Sequence, residues 1–483
     1  MCYARSLLQR THIYDGLTSF KRMISMIEQV ILGFHAEMDT IQTDVVIVGG
    51  GVTGVVAALA ARRAGARTIL LESRTFVGGN ATTGLCLHSF LTRDRRQVVY
   101  GIAQEIVDRL QALGGAVGHI PYDGFVSAVT PVDGDIFRIT VTEMLAEAGV
   151  QIIYGCNVVG VDANDGFVNH LDVAMKGGIR RIEARSFIDS TGDGDVAAYA
   201  GATVRTGDST TGKMQPVSML MRFFNVDTRR IANEIGEVNP AMATKNGGEP
   251  FPVYFNGTFS KWNDVIREER IFPNEDHKVF FNTTWPNQIN VNTSAVFNVD
   301  GTDPLALSKA TVELTQQVRK AGDFLVKHVP GFEGGYYIPA IFAGVRETRN
   351  VLGQYEIQDE DVLSGRKFED TIGEICFPVD IHDPDTGQAT FHDIGGDGAF
   401  DVPYRSLVPK GFSNLLVAGR CISATSFAHG ATRNMAPCMV TGQAAGVAAA
   451  RSVRTNAPTG KIDVAGLQEE LREGGAYLGQ LAA

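Results

Sequence analysis

The stretch Thr43–Glu72, TDVVIVGGGVTGVVAALAARRAGARTILLE, decides the fold. Val45, Val46, Ile47 and Val48 form a short continuous apolar run, the pattern of a strand buried on both faces. Gly49, Gly51 and Gly54 follow at GxGxxG spacing. The first glycine suits a tight turn, the second lets backbone approach a pyrophosphate, and the third lets the next helix lie close to the strand. From Val52 to Ala64 the residues are mostly small and apolar, predicting a helix whose N-terminal N–H groups and dipole face an anion. Gly65 ends it, and Thr68–Leu71 reads as the second strand. Glu72 closes that strand where a carboxylate can accept both ribose hydroxyls of a dinucleotide.

A chain of 483 residues is too long for one simple core and predicts two or three domains. Its apolar and charged fractions, 44% and 20%, are those of an ordinary soluble globular protein. The net charge of −11, with no sustained basic run, argues against nucleic acid and anionic membrane as partners. The six cysteines are scattered without a CxxC pair, which indicates neither a disulfide framework nor a zinc site. A reducing, cytoplasmic setting is the expectation. No apolar stretch reaches the roughly eighteen residues of a membrane span.

Residues 1–38 read as a peripheral extension, helical from Thr18 to Phe34, with neither the uninterrupted apolar core nor the cleavage site of a secretory signal. Beyond Glu72, Gly78, Gly79 and Gly84 with Thr82 and Thr83 predict a polar loop at a strand's carboxyl end, where ligands lie in open α/β sheets. Helices are expected over Tyr100–Leu113 and Asp135–Ala148. Strands are expected over Gln151–Tyr154, Val158–Val161, Val168–Met175 and Arg181–Ile188. The last runs into DSTGDGD (Asp189–Asp195), a second strand–turn–helix without GxGxxG. From Arg205 to Phe400 aromatics, prolines and short alternating runs predict a largely antiparallel sheet, with a long amphipathic helix over Pro304–His328. NLLVA (Asn414–Ala418) restores the buried-strand pattern, and Pro437 reads as the opening of a small-residue helix. The chain therefore leaves its nucleotide-binding fold and returns to it. The expected organisation is an extension (1–38), nucleotide-binding segments (39–204 and 401–455), an inserted antiparallel substrate domain (205–400) and a tail (456–483).

These pieces together resemble the FAD-dependent oxidoreductase family, a branch of the glutathione-reductase-like flavoproteins related to fumarate reductase flavoprotein subunits. The resemblance rests on DVVIVGGGVTGVVAA with Glu72, GGNATTG (Gly78–Gly84) and DSTGDGDVAAYAGA (Asp189–Ala202). GVRETR (Gly344–Arg349) and AGRCISATSFAHGATRNMAPCMVTGQAAG (Ala418–Gly446) complete it. It implies a Rossmann-like α/β fold and a bound FAD. The ADP half would lie at Gly49, Gly51, Val52, Thr53, Gly54 and Glu72, with Ser73, Arg74 and Val158 beside it. The flavin would meet Gly79, Asn80, Thr83 and Gly84, and its pyrimidine end the start of the Pro437 helix, at Met435 and Ala436. Thr191, Gly192, Asp195, Gly419 and Arg420 would supply backbone and side chains alongside. A helix N-terminus there would stabilise the negative charge of a reduced flavin.

A second glycine fingerprint for NAD(P)H and a redox cysteine pair are both missing, and Ala418-Gly419-Arg420 replaces the GD-type strand end of aromatic hydroxylases. The expected reaction is hydride transfer between a small polar organic substrate and the flavin, with oxygen, a quinone or a carrier protein as electron acceptor. The alternatives are an FAD monooxygenase or a flavin-binding module of a larger redox or RNA-modification complex. An oligomer is compatible with the sequence. Hydride transfer needs a base for the heteroatom proton and a clamp for the substrate. His429 and Arg433 are the candidates, as acid/base and anion clamp; equally, they fix the loop or contact the flavin. Arg346 and Arg349 read as structural partners of Glu347 or of the phosphates before they read as a second clamp. Cys86 and His88 read as buried loop residues before a covalent flavin attachment. Tyr336 and Tyr337 read as aromatic packing before cavity wall, and His382, Asp383, His392 and Asp393 as solvated turn residues. Asp193 and Asp195 would hold the cofactor or cap the following helix.

Overall fold

Strand β1 (Thr40–Val48), helix α1 (Val52–Arg63) and strand β2 (Thr68–Glu72) form the crossover that the opening stretch predicts. A computed structural model describes residues 40–208, 211–235, 240–272 and 278–479; the extension expected over 1–38 lies outside them. β1 and β2 pair in parallel, Val45 opposite Thr68, and both are buried because α1 covers one face of the sheet. β3 (Gln151–Tyr154) extends the parallel edge beyond β2. β4 (Asn157–Asn164), β5 (Phe167–Met175) and β6 (Gly178–Asp189) form an antiparallel meander, and β6 lies parallel to β1 along its other side. The sheet order is therefore β3-β2-β1-β6-β5-β4.

The second sheet is antiparallel and comes from a different part of the chain. Its strands are β7 (Met221–Phe224), β8 (Ala241–Ala243), β9 (Phe251–Thr258), β10 (Lys278–Asn282) and β11 (Gln288–Asn292). Helix α2 (Pro304–His328) leads to the edge strand β12 (Tyr336–Pro339), giving the order β8-β9-β10-β11-β7-β12. α2 starts on Pro304 with Asp303 accepting the Leu305 N–H, and buries Leu314, Val318 and Leu325 against the sheet. This core is separate from the one under the parallel sheet.

A hairpin of β13 (Val379–His382) and β14 (Ala389–His392) then leads the chain back. β15 (Leu415–Val417) pairs in parallel with the end of β6, so the chain does leave the first sheet and rejoin it. Helices α3 (Ser426–Thr432) and α4 (Met435–Thr455) follow. α4 begins two residues before Pro437, because the Asn434 side chain accepts the Met435 N–H. Its glycines allow it to lie against α1: a Cβ at Gly442 would stand 2.5 Å from the Thr53 carbonyl oxygen, and one at Gly446 2.3 Å from that of Ala57. The architecture is mixed α/β, with a parallel sheet consistent with a Rossmann-like fold. No helix among the described residues is long and apolar enough to cross a membrane.

Candidate functional site

Gly49 turns the chain out of β1 at φ 98°, a region that glycine tolerates. Gly51 caps α1 without any side chain, no acidic residue occupies the first turn, and a Cβ at Gly51 would meet open space. The start of α1 therefore presents its dipole and first N–H groups to open space, which suits a diphosphate. Glu72, 5% exposed, sits at the end of β2, accepting the Gly50 N–H at 2.7 Å and the Arg74 N–H at 2.7 Å. Ser73 Oγ lies 3.2 Å from the same carboxylate, and the Arg74 guanidinium stacks on Phe342. Cys156, two residues before Val158, donates its N–H to the Glu72 carbonyl, bringing that strand to the Glu72 end. Gly79 lies over Gly51, its Cβ position 3.0 Å from the Gly51 Cα.

Further along, a cavity of about 600 Å³ opens between the two sheets. Asn80 and Thr83 line one part of it, and Arg420, Asn434 and Met435 another. The cavity wall therefore joins the 78–84 loop to the N-terminus of α4. Gly84 abuts the Asn290 amide, Gly419 packs on Thr53, and Ala436 is buried behind Met435.

The segment Asp189–Asp195 is knotted by its own hydrogen bonds. Asp189 accepts the N–H and hydroxyl of Thr191 and the N–H of Ala197, and burial pushes its carboxyl up to about 6. Thr191 Oγ1 accepts the N–H groups of Asp193 and Asp195. Asp193 pairs with Arg420 at 2.6 Å, and Asp195 with Arg349 at 2.8 Å. Both acids thus order neighbouring arginines, and Gly194 precedes the short helix as its cap. Gly192, at φ 81°, faces the Arg420 guanidinium.

A charged cluster occupies the wall beyond. Arg433 Nη2 donates to the Asp380 carbonyl at 2.8 Å, to Asp380 Oδ2 at 3.0 Å and to Gln215 Oε1 at 3.4 Å. His382 Nε2 lies 3.1 Å from Asp380 Oδ1, close enough to interact but not aligned as a hydrogen bond. Asp380 and His382 are two residues apart on β13, so their side chains leave the same face. Burial would raise the Asp380 carboxyl, but His382, Arg433 and Arg346 together hold it well below the usual carboxylate range. Burial lowers the imidazole of His382 despite the carboxylate beside it. Arg346 lines the same cavity, is pulled down to about 10 by burial and Arg433, and is anchored on the Pro216 carbonyl at 2.6 Å. Arg433 Nε, Asp380 Oδ1 and Thr293 Oγ1 have no hydrogen-bond partner in the protein, so the buried wall is polar and unsatisfied.

Arg433 is at the cavity, as its reading as a clamp requires. His429 is not. It lies 1% exposed inside α3, its Nε2 3.1 Å from the Arg420 carbonyl oxygen, with burial, Arg433 and Arg420 lowering its pKa well below the ordinary value. Its reading as acid/base is corrected: the short imidazole ends inside the core on the Arg420 carbonyl, whereas the longer Arg433 side chain one turn on reaches the cavity. His382 is the reverse correction, a strand residue at the cavity and no solvated turn residue. Asp383, by contrast, is a turn residue, accepting the N–H groups of Asp385 and Thr386. Tyr336 and Tyr337 lie on edge strand β12 away from the cavity, Tyr337 donating to Asp323 at 2.7 Å. Glu347 accepts the Gln215 N–H and does not pair with Arg346. The alternation VDIH was the signal that would have singled out Asp380 and His382.

A helix start open to an anion, a glutamate ending the second strand and a buried charged cavity define a dinucleotide-binding oxidoreductase. The chain belongs to the FAD dependent oxidoreductase family, whose model matches residues 44–471, and it is an FAD-dependent enzyme. Among curated proteins, the thiamine thiazole synthase of Aeropyrum pernix is 25% identical over 127 residues, or 26% of this chain. That match spans 42% of the relative's length. Among solved structures, a geranylgeranyl bacteriochlorophyll reductase-like protein from Thermoplasma acidophilum covers 90% of this chain and 83% of its own, at 14% identity and TM-score 0.46. A p-nitrophenol 4-monooxygenase from Pseudomonas putida covers 90% and 84%, at 12% identity and TM-score 0.47. Likenesses this distant do not bear on the reaction.

Proposed function

We propose that this enzyme oxidises a small polar organic molecule bearing an anionic group, by hydride transfer to FAD, and reduces the product in the reverse direction. The observation that carries this reading is the buried cluster of Arg433, Asp380, His382 and Arg346 in the wall of the cavity. Two guanidiniums against one carboxylate leave net positive charge in a desolvated site, which suits a substrate carboxylate. In this reading the fold is glutathione-reductase-like: segments 39–204 and 401–455 hold FAD, and 205–400 is the inserted substrate domain. Gly49, Gly51, Val52, Thr53, Gly54 and Glu72 hold the ADP half, Ser73, Arg74 and Val158 its surroundings. Gly79, Asn80, Thr83, Gly84, Met435 and Ala436 meet the ring, with Thr191, Gly192, Asp195, Gly419 and Arg420 shaping the segment between.

Bound FAD supplies the acceptor for a hydride. Arg433 and Arg346 orient the substrate acid, which fixes the C–H bond to be broken. His382, held neutral by burial, takes the proton from the substrate hydroxyl or amine. Asp380 stabilises the imidazolium that results. The wall around them excludes water, so these charges act at low dielectric.

Arg433→Met tests the clamp. KM for a carboxylate donor is expected to rise by about 10²-fold, the scale of a mispositioned substrate, while a neutral amide analogue is unaffected. The single change also breaks the buried Arg433–Asp380 pair, at a cost of about 3–5 kcal/mol. The double variant Asp380→Asn/Arg433→Met therefore regains stability in denaturant titration without regaining affinity. Unchanged KM and stability in the single variant would discard the clamp.

A further inference from the structure

His88 ends the two-residue strand Leu87–His88, which pairs antiparallel with Ala128–Thr130. It is 7% exposed and lines the cavity, and neither ring nitrogen has a hydrogen-bond partner in the protein. Around it stand the rings of Tyr254, Phe125 and Phe377, at centroid distances of 5.6, 6.0 and 6.0 Å. Phe280 and Phe391 back Phe125 at 5.4 and 4.7 Å. The cavity is thus divided by chemistry. One part holds the arginines, Asp380 and His382; the other is walled by aromatic rings around His88.

Burial pulls the His88 imidazole down to about 4, so it is neutral at physiological pH. A neutral imidazole offers one donor and one acceptor. Buried polar groups are normally satisfied, and a side chain left with both nitrogens free in a cavity wall is a vacancy for a ligand group. Planar walls favour a planar body.

We propose that His88 recognises a neutral hydroxyl or carbonyl on an aromatic substrate whose acidic end lies at Arg433 and Arg346. The inference rests on the anion reading above. It narrows the substrate class to aromatic acids carrying a second, uncharged polar substituent. A site built to hydrogen-bond such a group rejects the analogue that lacks it, because the buried partner is then left unpaired.

The test titrates benzoate and the 2-, 3- and 4-hydroxybenzoates into the oxidised holoenzyme, reading the perturbation of the FAD visible band. At least one hydroxybenzoate is expected to bind roughly ten- to a hundredfold more tightly than benzoate, the scale of an unpaired buried group. His88→Phe, which keeps the aromatic wall, is expected to erase that advantage and leave benzoate binding as it was. If benzoate binds and the hydroxyl adds nothing in the wild-type protein, the inference on His88 falls and the anion reading stands. If none of the four aromatic acids binds, this inference falls; the anion reading falls with it only when non-aromatic carboxylates also fail to perturb the band. If His88→Phe shifts the FAD spectrum of the ligand-free enzyme and leaves the preference intact, the imidazole serves the cofactor and the proposal is overturned.

Discussion

Gly54→Ala is expected to yield no folded, flavin-loaded protein. A Cβ there would stand 1.8 Å from the Gly49 carbonyl oxygen and 2.7 Å from Ser190 Oγ, so α1 would have to lift off β1. It has nowhere to go. On its other side α4 touches it through Gly442 and Gly446, at positions where even a methyl group would collide with the backbone of Thr53 and Ala57. Overpacking a core side chain costs about 1–3 kcal/mol because neighbours can shift; here both obstacles include backbone, and the total stability at stake is only about 5–15 kcal/mol. Gly51→Ala is the contrasting variant. Its methyl meets open space, so the flavin-free protein folds with the Tm of the flavin-free wild type but takes up less flavin, because the methyl enters the space at the start of α1. Soluble yield, Tm and flavin-to-protein ratio check the pair. A yellow Gly54→Ala protein with wild-type Tm would contradict this account of the crossover.

His382→Gln is expected to lower turnover by about 10²–10⁴-fold, the usual share of a positioned general base. The wild-type pH profile carries the same information. His382 must be neutral to accept a proton, and burial lowers its pKa below the ordinary 6.5. kcat/KM should therefore rise with pH along a limb whose apparent pKa lies below 6.5, and level off above it. His382→Gln should lose that limb while retaining FAD. His429→Gln, altering a residue shut away behind the cavity, should keep it. A limb that survives in His382→Gln and disappears in His429→Gln would restore the acid/base role to α3.

The crossover with its glycine turn and closing glutamate was legible in the sequence because its requirements are local. Gly49, Gly51 and Gly54 are needed for backbone geometry within one turn, and Glu72 follows one helix and one strand later. The antiparallel block and the return of the chain at Leu415–Val417 were legible too, from alternation and from a continuous apolar run. The charged wall of the cavity was not. Asp380 and His382 meet Arg433 only because a hairpin and the end of α3 come together in the fold. The glycine- and aspartate-rich turn at Asp383–Gly387 masked the alternation just before it. His429 misled for the opposite reason: one helical turn does put it on the same side as Arg433, but the imidazole stops against the Arg420 carbonyl inside the core while the longer guanidinium reaches the cavity. His88 carried no periodic signal, since its strand is two residues long.

Oxidation of an anionic donor by the protein's own FAD is tested most directly by anaerobic mixing of the holoenzyme with hydroxy acids, amino acids, sugars and pyridines. A carboxylate-bearing donor is expected to bleach the visible flavin band with no nicotinamide present. A band that no donor bleaches, yet that NADPH reduces once a substrate is added, would contradict this reading and make the protein a monooxygenase.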